Sequence, residues 1–182
     1  MTDCDVLIQL YTNDFKNSKW CNEEIVSANQ KQIGVVEIIW PDCTPDIHNL
    51  LCEPIQLTQK MFLNEDSHNE SCHITEKCIE NIVKTVESVR ARNLAARQDN
   101  LVGEFVKEAR KQGRQLTQEY RYLVETLKDD RIRLFIPAIG VPQSYDCFDS
   151  LRFRKLLNNE KIELFLIYDD LRIRKKWIEH LE

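Results

Sequence analysis

The stretch CDVLIQLYTNDFKNSKWCNEEIVSA, residues 4–28, decides how the rest of the chain is read. Its first part, DVLIQLYT (5–12), is apolar and β-prone, and the pair Asn13-Asp14 follows as a breaker. That pattern predicts a strand. Residues 19–31 are predicted to be a helix, with Ile25, Val26 and Ala28 as its apolar patch and Gly34 just past its end as a stop. Next, VVEIIW (35–40) reads as a buried strand, and the Pro-bearing loop PDCTPD (41–46) cannot continue a ladder. PIQL (54–57) is a candidate short edge strand.

Outward from this block, residues 60–74 are polar and read as loop, and Thr75 offers a helix cap. Ile79, Ile82, Val83, Val86 and Val89 fall at helical spacing. The pattern weakens through 90–100 and resumes at Leu101, Phe105, Val106 and Ala109. Either one helix runs from about 75 to 112, or two meet near Asp99-Asn100; Gly113 is the stop. Beyond it, Leu116, Tyr120, Leu123, Val124 and Leu127 predict an amphipathic helix, and RIRLFIP (131–137) a strand. A helix over 147–158 is expected to turn Phe148, Leu151, Leu156 and Leu157 inward. A strand over 162–168 and a helix over 171–181 follow. Such close alternation implies a parallel α/β unit.

Composition bounds the function. The chain has 182 residues, 42% hydrophobic and 30% charged, which suits an ordinary globular protein of one domain with extensions or two small ones. A net charge of −5 argues against nucleic acid as the main partner, because phosphate binding needs clustered Lys and Arg. Residues 1–12 carry Asp3 and Asp5 where a secretory leader carries basic residues, and no run of 18 apolar residues exists to span a membrane. Seven cysteines without a leader point to reduced thiols and a cytoplasmic location. His68, Cys72, His73 and Cys78 are the nearest approach to a metal spacing, but they lie in a polar stretch without a CxxC pair and read as a solvated loop, so no metal site is expected. Phosphate-loop, dinucleotide and nucleophile-elbow motifs are absent from the sequence. The basic stretches Arg152, Arg154, Lys155 and Arg172, Arg174, Lys175, Lys176 read as solvated helix faces.

After the buried strand of 5–12 come Thr12, Phe15, Ser18, Trp20-Cys21 and Glu24. The pattern F-x-x-S-x-W-C-x-x-E in that place resembles the second half of a Toll/interleukin-1 receptor (TIR) domain. The strand VVEIIW, its Pro loop and the helix from Thr75 fit the same family, so the likeness covers residues ~4–89. The resemblance implies a flavodoxin-like α/β fold with a parallel sheet and a cytoplasmic module for signal transduction, innate immunity included. Such modules associate with their own copies or with other TIR-containing proteins. In the enzymatic branch of the family, a Glu four residues after the Trp cleaves the nicotinamide–ribose bond of NAD. The matching position here is Glu24, with Trp20 as the accompanying aromatic and NAD as substrate rather than cofactor. Such cleavage passes through an oxocarbenium-like state, which a nearby carboxylate stabilises.

The family's opening strand, helix and second strand do not precede residue 4, so the sheet is expected to be incomplete. The resulting division is a partial TIR-like domain over 1–89, a helical connector over 90–114 and a second α/β segment over 115–182. That segment either completes the sheet or opens another TIR-like unit, since IELFLIYDDLRIRKKWIEHLE (162–182) resembles a TIR opening. The leading expectation is an interaction module acting by self- or hetero-association, without membrane insertion. The alternatives are an NAD glycohydrolase using Glu24 and an inactive fragment of a larger protein.

Overall fold

The computed structural model describes residues 4–44, 52–63, 73–140, 142–157 and 161–169. The chain is α/β: a parallel three-stranded sheet, a long helix and a second, small mixed sheet. The first sheet is consistent with an incomplete flavodoxin-like fold. Two compact units divide between Leu94 and Ala95.

In the first unit, β1 (Val6–Tyr11), β2 (Gly34–Ile39) and β3 (Cys52–Gln56) lie in the order β1-β2-β3, all parallel. Val6 pairs with Gly34 and Tyr11 with Ile39, in unbroken register. Between β1 and β2 runs α1 (Lys19–Gln30). Its start is set by Ser18, whose Oγ accepts from the Cys21 amide at 3.3 Å. Its end is a Schellman turn, in which Gln32 and Ile33 donate to the carbonyls of Asn29 and Ala28. The left-handed residue of that turn is Gln32 (φ 54°), not the expected Gly34.

Gly34 has a different task. It opens β2, and a Cβ built there would lie 2.6 Å from Val89 Cγ1. Val89 belongs to α2 (Glu76–Lys111), so glycine is what lets this helix lie close on the sheet. The single-helix reading of 75–112 holds: the helix continues through Asp99-Asn100. Gly113 (φ 74°) ends it as expected, with Gly113 and Arg114 donating back to the carbonyls of Arg110 and Ala109.

The sheet is covered on both faces. Val36, Ile38, Ile55, Cys78 and Val89 share one buried cluster, which α2 covers. Ala28 of α1 meets Ile33 and Val35 on the other. Alternation along β2 produces this: even-numbered residues face α2 and odd-numbered residues face α1.

The second unit corrects one sequence expectation. Residues 116–127 do not form a helix. They form a hairpin of β4 (Thr117–Gln118) and β5 (Leu123–Thr126). β5 pairs antiparallel with β6 (Ile132–Pro137), and β6 pairs parallel with β7 (Ile162–Ile167) through the crossover helix α3 (Ser144–Leu157). The apolar spacing imitated a helix because Glu125 fills a buried strand position where an apolar residue would have shown the period of two. Glu125 is tolerated there because Arg114 grips it with two hydrogen bonds, of 2.8 and 2.6 Å. Arg133, opposite Glu125 in register, binds Glu163 at 2.9 Å, so a charge ladder crosses β5, β6 and β7. β7 belongs to this second sheet, and no described strand beyond residue 131 joins β1–β3. The predicted helix over 171–181 lies outside the described residues.

α3 brings a second correction. Phe148 and Leu151 point to solvent, not inward. Ser150 is buried and Phe153 reaches the Tyr122 ring at 5.4 Å, so the packed side of the helix is one position out of phase with the apolar one. The side chains of Leu156 and Leu157 lie outside the described residues.

Candidate functional site

The motif that carried the TIR resemblance divides between scaffold and surface. Phe15 packs on Tyr11 at the end of β1, ring centroids 5.1 Å apart, beside Ile39 and Cys43. Ser18 caps α1. Cys21 is half-buried. Trp20, the aromatic that the resemblance sets beside Glu24, is 78% exposed on the first turn of α1. Glu24, one turn further on, is exposed as well. The structure therefore brings Trp20 and Glu24 together on an open helix surface at i, i+4 spacing. A shallow depression along α1 is lined by Asn22, Glu23, Val26 and Ser27 among others, and includes neither Trp20 nor Glu24. Glu23 instead meets Lys19 at 3.7 Å, an exposed pair.

The cysteine-histidine stretch resolves in part. Cys78 is buried under the first sheet, and that burial pushes its thiol pKa up, away from ligation as a thiolate. His68 and Cys72 lie outside the described residues. Among the described residues no three His, Cys, Asp or Glu side chains gather as a metal cluster, and no helix is long and apolar enough to cross a membrane.

A buried polar pair that the sequence reading missed lies at the centre of the first sheet. Gln9 and Glu37 stand opposite each other in register, both buried, and Gln9 Nε2 donates to Glu37 Oε1 at 3.1 Å. The amide fixes the carboxylate on the α1 face. The single polar letters inside DVLIQLYT and VVEIIW were the available signal: each interrupts an apolar run, at the same depth in adjacent strands.

The two edges of this sheet differ in kind. β3 carries Pro54, which has no N–H to offer a further strand. β1 carries no Pro, Gly or charged residue among its six, VLIQLY. Natural edges are ordinarily guarded by such residues. Among the described residues no strand pairs with the outer side of β1.

The flank of that edge is apolar. Ile8 and Leu10 are 51% and 49% exposed, and they share the α2 side of the sheet with Val6. α2 runs antiparallel to the strands there. Arg90 Nε bonds Asp5 Oδ2 at 3.2 Å and Asn93 Nδ2 bonds the Asp5 carbonyl at 3.1 Å, both at the start of β1, whereas Arg92 reaches Glu53 of β3. Counting back from Arg90 at helical spacing, Val86, Val83 and Ile79 fall on the β1 side. Helix rise puts Val83 about 10 Å from the Arg90 level, and strand rise puts Ile8 about 10 Å from Asp5. Val83 is thereby level with Ile8, and Ile79 with Leu10. Val83 and Ile79 are themselves about half exposed. Four half-exposed apolar side chains thus lie on the β1 side, along an edge that no strand among the described residues pairs with.

Comparison of the chain with protein-family models, curated proteins and solved structures returns no match.

Proposed function

We propose that the first unit is a TIR-like interaction module that works by accepting an extended segment of another chain along β1. The observation that carries this reading is the unguarded edge of β1 with Ile8 and Leu10 half exposed beside Ile79 and Val83. An added strand takes up the outer backbone groups of β1, which no described strand uses, and its inward side chains cover the strip. Burying the remaining halves of these four side chains contributes about 3–6 kcal/mol before ordering costs, enough for association but not for a permanent assembly. A second copy of the chain is the simplest donor, in keeping with a module that acts by self-association.

Sedimentation velocity across a wide concentration range tests this. The parent chain is expected to form concentration-dependent assemblies, and Leu10→Lys to sediment as a monomer while keeping the parent circular dichroism spectrum. Hydrogen exchange at the outward amides of β1 is expected to slow as the parent assembles. Assembly that Leu10→Lys leaves intact, with β1 exchanging freely throughout, would sink the edge as the interface.

A further inference from the structure

The second unit holds a groove that the association of the first leaves unexplained. It opens at the carboxyl ends of the parallel strands β6 and β7, where ligands of open α/β sheets ordinarily bind. Ile136 and Leu166, paired in register, make its floor. The hairpin tip between β4 and β5 forms one wall and α3 the other, and Tyr122 of the tip meets Phe153 of α3. The groove encloses about 520 Å³, within the range of small-molecule sites.

Three features of the lining point to a ligand. Ser150, 5% exposed, lines the groove from α3, and its hydroxyl has no hydrogen-bond partner among the described residues. Buried hydroxyls are ordinarily satisfied, and a serine in a helix has the carbonyl one turn back within reach. Arg121 and Arg152 line the same groove without an ion pair among the described residues, although the ladder arginines of this unit, Arg114, Arg131 and Arg133, are all paired. Arg121 lies over the ring of Tyr120, 5.6 Å from its centroid, and that ring is almost wholly exposed. Glu119, Asp146 and Asp149 add carboxylates to the lining, Asp146 already accepting from the Gln143 amide at 2.7 Å. The lining thus offers flat aromatic faces, guanidinium forks without an ion pair among the described residues, carboxylates and one buried hydroxyl.

We infer that this groove binds a nucleoside monophosphate. A base stacks on the tyrosine faces of the hairpin tip. The phosphate takes the guanidinium forks of Arg121 and Arg152, whose planar geometry suits it. Ribose hydroxyls donate to Asp149, and Ser150 closes the remaining polar contact. A purely apolar ligand would leave the guanidiniums unused. A bare anion would leave the aromatic walls unused. The basic stretch from Arg152 read in sequence as a solvated helix face; the fold turns its first member into the groove.

Titration calorimetry of the full chain with AMP tests the inference, with adenosine and inorganic phosphate as separate arms. AMP is expected to bind saturably, with a dissociation constant on the order of 100 μM, and each half-ligand at least about tenfold more weakly. Arg121→Ala, on an exposed turn where folding is not at stake, is expected to weaken AMP about tenfold. Ser150→Ala is expected to weaken it about fivefold, and Ser150→Val to abolish it by filling the groove beside α3. Leu10→Lys, which disrupts the proposed association, is expected to leave AMP binding unchanged, so the two readings fail separately. No saturable heat from folded protein, or AMP affinity that Arg121→Ala and Ser150→Val both leave intact, overturns the nucleotide site. Phosphate binding as tightly as AMP overturns the role of the aromatic walls.

Discussion

Replacing Arg114 by Met removes the principal partner of a buried carboxylate, and with it the guanidinium over the Phe135 ring, while keeping an unbranched side chain. Glu125 has a side chain only 7% exposed and takes both of its short hydrogen bonds from Arg114. Those hydrogen bonds, against the opposing effect of burial, hold its pKa below the usual carboxylate range. Breaking a buried pair by removing one partner costs about 3–5 kcal/mol in general. Two features reduce that here: Arg114 is 27% exposed, and Arg133 stays 3.7 Å from the same carboxylate. The expected loss at neutral pH is about 2 kcal/mol, or about 4–8 °C in Tm.

Urea unfolding followed by circular dichroism reads this directly, and pH supplies a second check. A carboxylate whose folded pKa is depressed contributes stability above its unfolded value, about 4.3, and loses it as pH falls through the folded one. The gap between parent and Arg114→Met is therefore widest at neutral pH and narrows in acid. Replacing both partners, Arg114→Met with Glu125→Leu, is expected to recover most of the loss, because no uncompensated charge is left. A cost under about 0.5 kcal/mol at neutral pH, or a gap that does not narrow in acid, would refute this account of how the hairpin tolerates Glu125.

Gly34→Ala places a methyl group 2.6 Å from Val89 Cγ1, and Val89 is buried and stiff at χ1 on a helix, so a loss of about 1–3 kcal/mol is expected in urea unfolding. Adding Val89→Ala is expected to remove the clash, and a Gly34→Ala chain as stable as the parent would show that α2 does not press on β2. Glu24 is exposed to water, where a carboxylate stabilises a developing cation poorly, so concentrated folded chain incubated with NAD is expected to release no nicotinamide beyond the buffer rate. Release detected by chromatography and abolished by Glu24→Ala would reverse that expectation and restore the glycohydrolase reading.

The first unit was largely legible because its signals are local. An apolar β-prone run, a Ser cap and a Pro-bearing loop each act over a few residues, and β1, α1 and β2 fall within a residue or two of their expected positions. The second unit was less so. Its hairpin depends on Glu125 being neutralised by Arg114, eleven residues away, and the phase of α3 depends on which side the sheet leaves free. Trp20 illustrates the same limit at the site: whether an aromatic in a motif packs or faces water depends on what lies over it, and this ring is 78% exposed.

By itself, then, the sequence determined an α/β chain, the parallel relation of its first strands, the helix stop at Gly113 and the unguarded composition of VLIQLY. These follow from periodicity, capping and composition, which need no knowledge of distant residues. Only tertiary structure decided that VLIQLY is an edge, that Ile79 and Val83 flank it, and that Arg121, Ser150 and Arg152 share one groove. Each of these rests on residues far apart in the chain, brought together by sheet register and helix packing.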